Sequence, residues 1–382
     1  MIYNQFMNND LKPKKIMRTL YIIKKGMNKP SDDVVQKMES EGIQPRVSTL
    51  EKAISSDVLD ERYLKNCKGK LRKWIYRRLP VEICQILETL KIHQHYDVIY
   101  VHTEQVALPL AIFIRLFRVK THYVITISRI TSKNQFKTWI KQTILRWTHS
   151  RIDSIVMWSS AQRRIVTDRI GVSPKKIALI KLGTDHRFWK PMDVQTDMIC
   201  SVGMEMRDYP TLVEALRPLN IPCHFATGSK TVEIFDTVEQ LHSIKDIPKH
   251  ITIGKKSPIE LRELYSRSRF VVLSLLPTDS DNGLTVILEA MAMAKPVICT
   301  SVDGQVDVIK DGITGIFVPQ GDPEAIRKAI LDLWENPEKA ESMGRAARSY
   351  IEQHHSMDQY VTTIQQHLLK VVNSNVAVDN HG

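Results

Sequence analysis

The stretch 277–297, PTDSDNGLTVILEAMAMAKPV, holds the groups best suited to chemistry. A strand expected over 270–275 runs into a polar turn, 278–283, and then directly into an apolar helix expected over 284–294. Backbone N–H groups at such a helix start lack partners within the helix, and the helix dipole adds positive potential. The turn is therefore a ready site for phosphate. Gly283 lets the backbone approach a ligand with no side chain in the way. Asp281 precedes the helix and Glu289 lies eight residues later. Glu289 falls on the order of 8 Å into the helix, its side chain leaning back toward the N-terminus. Two carboxylates flanking a phosphate site can accept protons from sugar hydroxyls on both sides of a diphosphate, which fits a nucleotide sugar. Taken alone, the same spacing also describes an N-cap aspartate and a solvated helix glutamate.

Elements that could position such a turn recur along the chain. Short β-branched runs predict strands over 17–23, 97–101, 123–127 and 154–158, with helices over 81–91 and 106–118 between them. The rhythm repeats with strands over 198–202, 222–226, 270–275, 296–300 and 315–318. Helices are expected over 209–216, 258–268, 284–294 and 323–336. Two successive alternating sets imply an α/β chain with two doubly wound parallel sheets, which is what 382 residues can hold. Ligands of such sheets bind beyond the carboxyl ends of the strands, so the cleft between the domains is the expected site. The pattern is interrupted at 189–194, which sets the domains at 1–190 and 191–356. A last helix over 357–373 is expected to cross back onto the first domain, and 374–382 to be a frayed tail.

Residues beyond the turn narrow its chemistry. LEAMA, then KPVICTSVDGQVDVIKDGITGIFV, closely resembles the donor domain of the family 4 glycosyltransferases, which have the GT-B fold. Their signature is E-x7-E, EAMA, a small residue, PV and a glycine–acid series, here Gly304, Asp307, Asp311, Gly312, Thr314 and Gly315. The stretch 152–191 resembles the family's entry into the linker, with Gly171, Ile177, Gly183, Asp185, Phe188 and Pro191 at the usual places. SVGMEMRDYPTLVEAL resembles the opening of its donor domain. The resemblance runs from about residue 152 to the C-terminus. It implies that Glu289 binds the ribose of the nucleotide and Asp281 a hydroxyl of the transferred sugar. Asn282, Gly283, Leu284 and Thr285 would hold the diphosphate, with Gly203 beside them.

This chain departs from the family pattern at three points. Asp281 stands where the family normally has Glu, keeping the charge but reaching about one bond less. Gly203-Met204 replaces the usual G-R, which leaves Arg207 as the nearby cation and the expected phosphate clamp. Ile127-Ser128-Arg129 stands where many members carry a strand-end histidine, and His102, after the strand 97–101, is the histidine in a comparable setting. A histidine there is as readily a structural hydrogen-bonder. Lys25, in the Lys24-Lys25-Gly26 turn, is placed to meet an anionic acceptor or the donor phosphate. Asp279-Ser280-Asp281 spells the D-x-D of metal-dependent glycosyltransferases, yet it lies late in the chain and directly before the signature helix. A metal is therefore not expected, nor is a cofactor beyond the donor.

Charge divides the chain. Residues 1–190 hold 36 Lys and Arg against 16 Asp and Glu, whereas 191–382 hold 18 against 26. Between 65 and 78 lie Lys65, Lys68, Lys70, Arg72, Lys73, Arg77 and Arg78, interleaved with Leu71, Trp74, Ile75, Tyr76 and Leu79. A second run, 133–151, sets Lys133, Lys137, Lys141, Arg146 and Arg151 beside Phe136, Trp139, Ile140, Ile144 and Trp147. Cations with aromatic anchors on an amphipathic helix suit an anionic membrane surface. Each run alone also reads as an ordinary solvated helix face. Nucleic acid is not expected as a partner, because no recognisable module for it accompanies these runs. The most apolar window, 106–117, contains Arg115 and is too short to span a bilayer. No signal peptide is read at the N-terminus, and five scattered cysteines point to reduced thiols in the cytoplasm.

The reading is a metal-independent, retaining glycosyltransferase of hexosyltransferase type, peripheral at the inner face of the plasma membrane. Its expected partners are a nucleotide sugar (UDP- or GDP-linked) and a glycan or lipid-linked acceptor in cell-surface polysaccharide or glycolipid synthesis. A GT-B epimerase or phosphorylase, or a catalytically silent nucleotide-sugar binder, is the alternative.

Overall fold

The computed structural model describes residues 17–24, 30–131, 134–227, 241, 244–305 and 307–374. Twelve named strands form two six-stranded sheets. The first contains β1 (Thr19–Ile22), β2 (Ser56–Leu59), β3 (Val98–Val101), β4 (His122–Thr126), β5 (Ser154–Met157) and β6 (Ile177–Leu179), in the order β2-β1-β3-β4-β5-β6. The second contains β7 (Met198–Val202), β8 (Cys223–Ala226), β9 (Ile251–Gly254), β10 (Ser268–Leu273), β11 (Val297–Thr300) and β12 (Gly315–Val318), in the order β12-β11-β10-β7-β8-β9. Every pairing between neighbours is parallel.

The central strands are buried on both faces, as crossover helices require. On one side of the first sheet, Leu20, Ile22, Ile99 and Ile125 pack with Val106, Leu110, Ile114 and Leu145. These come from the helices Glu104–Leu116 and Gln135–Thr148, beside which lies Val81–Ile92. On the other side Tyr21, Val98, Tyr100 and Val124 meet Tyr360, Ile364 and Leu368. Those three belong to the last helix, Met357–Ser374, so the C-terminal helix packs back on the first sheet. The linker is pinned at the same place. Asp185 accepts from the Arg46 backbone N–H at 2.9 Å and from its guanidinium at 2.9 and 3.0 Å, while Arg46 also bonds Asp358.

Three strands were not expected: β2, β6 and β9. Each is an edge strand of only three or four residues. The 18-residue helix Pro337–His354 was also not expected. Asn336-Pro337 reads as the end of the helix Pro323–Glu335, but Pro337 occupies the first turn of a new one, where its missing N–H costs nothing. The basic run 65–78 is two short helices, Glu61–Asn66 and Lys70–Tyr76, separated by a break that ends at Gly69 with φ 107°. Lys25, Lys133 and the tail from 375 lie outside the described residues.

Candidate active site

In each sheet the strand order reverses beside the first strand of the set, between β1 and β3 and between β7 and β10. Crevices open at such switch points, beyond the carboxyl ends of the strands. The chain leaving β7 supplies Gly203 through Arg207, and the chain leaving β10 supplies the turn 277–283. Isolated bridging joins the two segments at Arg207 and Leu275.

Two glycines shape the meeting point. Gly203 has φ 113° and Gly283 has φ 92°, a region that L side chains rarely enter. A Cβ at Gly203 would fall 2.1 Å from Arg207 Nη2, and one at Gly283 would fall 2.8 Å from Leu273 Cδ2. The Arg207 guanidinium therefore lies on Gly203 and close to Gly283. It is only 3% exposed. Nε donates to the Val202 carbonyl and Nη1 to the Glu205 carbonyl, both at 2.8 Å. No carboxylate pairs with it among the described residues, and burial lowers its pKa from the usual arginine value. A buried cation with no carboxylate partner among the described residues, beside a helix start, is suited to an anion.

The helix Leu284–Ala292 starts from left-handed Gly283, and the Leu284 N–H bonds the Asp281 carbonyl at 3.0 Å. The turn before it is held from within. Thr278 Oγ1 donates to Asn282 Oδ1 at 2.9 Å, Ser280 Oγ donates to the same oxygen, and Gln305 Nε2 donates to the Asn282 carbonyl at 2.6 Å. Asn282 thus spends its side chain building the turn. A cavity of about 370 Å³ lies over this start, lined by Met204, Glu205, Arg207 and the run from Asp281 to Val286. Its far wall is Ser128 and Trp158 from the first domain and Leu182 from the linker. Burial raises the Asp281 pKa to about 6, aided by the Glu104 and Glu205 carboxylates and opposed by a backbone hydrogen bond and then by Arg129.

Gly203 and Glu289 line a neighbouring cavity of about 250 Å³ together with Trp189, Lys256, Leu261 and, from the first domain, Pro45. Tyr265 donates to Glu289 Oε2 at 3.1 Å, and burial pushes the Glu289 pKa up to about 8 despite that bond. Arg207, resting on Gly203, stands where the two cavities adjoin. Lys256 did not emerge from the sequence because it lies just past β9, an edge strand too weakly patterned to show a strand end there.

Asp279 and Asp281 do not face one ligand. Asp279 Oδ1 accepts from Thr131 at 2.6 Å and its carbonyl from Gln162 Nε2 at 2.7 Å. Its side chain lines a third cavity, of about 410 Å³, across the turn from Asp281. Together with the Arg129–Glu205 pair at 2.6 Å and the Ser160 N–H on Asp307 at 2.7 Å, these bonds tie the domains across the cleft. The glycine–acid series is likewise structural. A Cβ at Gly304 would sit 1.7 Å from the Ser280 carbonyl oxygen, and Asp311 accepts from the Phe317 N–H.

His102 comes directly after β3 at the carboxyl edge of the first sheet, but it does not line the 370 Å³ cavity. Its ring packs 5.5 Å from that of Trp158, which does, with Tyr21 and Tyr100 around it. Nδ1 has no hydrogen-bond partner among the described residues, and burial lowers the pKa to about 4. A histidine held neutral in this way carries no charge near pH 7.

Family models agree with this architecture. Glycosyltransferase Family 4 matches residues 30–188, and Glycosyl transferases group 1 matches residues 233–350. The chain belongs to the family 4 glycosyltransferases. The first model spans β2 to β6 and the second spans β9 to β12, with the Gly283 helix start inside the second. Among curated relatives, D-inositol 3-phosphate glycosyltransferase of Paenarthrobacter aurescens is 33% identical over 111 residues, 29% of this chain. The chain spans only 27% of that relative's length. Among solved structures, sucrose-phosphate synthase from Thermosynechococcus elongatus superposes with a TM-score of 0.71 at 16% identity. That match covers 94% of this chain and all of the other. HepE of Anabaena, in complex with UDP-glucose, gives 0.69 at 17% identity with the same coverage. These establish the GT-B fold.

Proposed function

We propose that the protein transfers a sugar, with retention at the anomeric carbon, from a nucleoside diphosphate donor to an acceptor hydroxyl. The buried Arg207 between Gly203 and Gly283 carries this reading, because a diphosphate is the anion such a site lacks. The phosphates take the Gly283–Thr285 helix start and Arg207, Glu289 accepts from the ribose hydroxyls, and Asp281 accepts from a sugar hydroxyl. As the bond from the anomeric carbon to phosphate oxygen breaks, negative charge grows on the leaving diphosphate. Fixed N–H donors and a guanidinium in a dry site stabilise that charge without reorganising. The acceptor oxygen bonds the same carbon from the same face, and its proton passes to the departing phosphate oxygen. No step of this scheme runs through a divalent cation; Arg207 and the helix start offset part of the diphosphate charge. The HepE complex with UDP-glucose supports a nucleotide-sugar donor for this fold.

A panel of UDP-, GDP- and ADP-sugars followed by thermal unfolding tests the reading. At a concentration 100 times Kd, one of them should stabilise the protein by about 2.7 kcal/mol. No stabilisation by any member would sink the proposal.

The acceptor side favours a glycan or lipid-linked acceptor at the inner face of the plasma membrane. The helices Lys70–Tyr76, Val81–Ile92, Glu104–Leu116 and Gln135–Thr148 belong to one layer of the first domain. That layer exposes Trp74, Ile83, Leu87, Phe117, Phe136 and Trp139, with Trp74 and Phe136 at opposite flanks. Tyr76 is the exception among the aromatic anchors, because it turns inward to Glu88. No helix among the described residues is long and apolar enough to cross a membrane. Vesicles containing anionic lipid should bind the protein, neutral ones far less. Lys137→Ala should weaken binding roughly fivefold, from about 1 kcal/mol per cation. Equal sedimentation with both vesicle types would remove the electrostatic part of the reading.

A further inference from the structure

Away from the cleft, a separate cavity of about 580 Å³ opens beneath the helix Lys70–Tyr76. Leu64, Tyr76, Val81 and Cys84 give it apolar walls, and half-exposed Leu79 stands in its wall as well. Lys65, Lys73 and Arg77 also line it. None of these three cations has an ion pair among the described residues. The one carboxylate in the lining, Glu61, is buried and already has a partner.

The helix above the cavity is braced. Glu88, fully buried on Val81–Ile92, accepts from Tyr76 Oη at 2.7 Å and from Arg72 Nη2, and the same Arg72 nitrogen meets Cys67 Sγ at 3.4 Å. Arg72 and Tyr76 are thereby committed to holding the helix down. Lys73 and Arg77, on the same helix, are left for something else. Two features meet here: apolar walls that water fills poorly, and three exposed cations at the rim that form no ion pair among the described residues. The volume lies within the range of roughly 300–1,000 Å³ typical of ligand pockets. A neutral hydrocarbon would leave the cations idle, and a free nucleotide would leave the walls wet. A flat membrane surface needs no enclosed space.

We infer that this cavity binds one alkyl chain of a phosphate-bearing lipid, with the phosphate held by Lys65, Lys73 and Arg77. A phosphate oxygen cluster suits an arginine fork flanked by two lysines. The site goes beyond the sugar-transfer reading and stands without it, because none of its residues lines the cleft cavities.

Decyl phosphate, kept below its micelle concentration, is a suitable probe for calorimetry with the full chain. Decyl maltoside serves as the same chain with a neutral head, and inorganic phosphate as the head alone. Expected is saturable binding of one decyl phosphate, at least tenfold tighter than decyl maltoside, with no measurable binding of inorganic phosphate. Removing two methylenes should weaken it by roughly fifteenfold, since each buried CH₂ changes affinity about fourfold. Leu79→Trp, which fills the cavity from its exposed side, and the double variant Lys73→Ala with Arg77→Ala should each lose tenfold or more. Trp139→Ala, on the far flank of the same layer, should leave binding unchanged. A cooperative thermal unfolding transition retained in every variant shows that each has folded. Equal affinity for the neutral detergent, indifference to Leu79→Trp, or loss with Trp139→Ala would each overturn the assignment, the last by showing surface adsorption.

Discussion

Replacing Arg207 with methionine is expected to lower transfer by on the order of 10²–10³, while the unliganded protein stays as stable or becomes more so. The two effects have one cause. Arg207 is 3% exposed, and the partners of its guanidinium among the described residues are two backbone carbonyls, those of Val202 and Glu205. Leaving a buried carbonyl without a donor costs about 1–3 kcal/mol, and Glu205, which supplies one of the two, is exposed. Burying an ion without a counter-ion costs several. The second quantity is the larger, so folding alone does not require Arg207, whereas the proposed diphosphate does. Methionine conserves the length of the side chain and fills its space without the charge. Thermal unfolding of the apo protein, beside calorimetric titration with a nucleoside diphosphate, separates the terms. A large drop in melting temperature with intact nucleotide binding would reverse the assignment. Gly203→Ala is the companion variant. Its Cβ would displace Arg207 Nη2, so nucleotide affinity should fall much as in Arg207→Met. Unlike Arg207→Met, it should also lose stability, because an L residue at φ 113° is strained by about 1–3 kcal/mol.

This part of the site was legible because its signals are local. A strand, a glycine in the left-handed region and an apolar helix succeed one another within 25 residues, 268–292, and the acids sit inside that span. The central strands were legible for a related reason: buried on both faces, they are continuous apolar runs. β2, β6 and β9 are edge strands, so half their groups face solvent and Ser56-Asp57 reads as a turn. A residue just past an edge strand is then unplaced, which hid Lys256. Trp158, Ser128 and Pro45 come from the other domain, and no spacing along the chain can announce contacts made only when two domains meet. His102 shows the reverse case. Its position at a strand end was readable, but its depth behind Trp158 depends on packing. The run 65–78 mixed two jobs that sequence cannot separate, since Arg72 and Tyr76 turn inward to Glu88 while Trp74 faces out.

The contribution of Glu289 to the stability of the unliganded protein is expected to fall between about pH 4.5 and pH 8, and Glu289→Gln should remove it. Burial raises the Glu289 carboxyl from 4.5 to about 8, and the Tyr265 bond only partly opposes it. Below pH 4.5 the folded and unfolded chains both hold the proton, so pH has no effect through this group. Between 4.5 and 8 the unfolded chain has released it and the folded chain has not. The unfolded state then gains on the folded one by about 1.4 kcal/mol per pH unit. Above pH 8 both forms are ionised and the loss is complete. Asp281, raised from 3.8 to about 6, adds a smaller loss of the same sign over its own window. Urea titrations of wild type and Glu289→Gln at pH 5, 7 and 9 isolate the term, because all other groups are common to both. The gap between them should widen up to pH 8 and then stay constant, with the variant the more stable. In the proposed complex the ribose hydroxyls donate to this carboxylate, which favours its ionised form. Binding of the nucleotide sugar at pH 7 should therefore release about one proton, measurable by calorimetry in two buffers of different ionisation heat. Glu289→Gln should bind more weakly and release none. Proton release that persists in the variant would assign it to another group and remove Glu289 from the ribose.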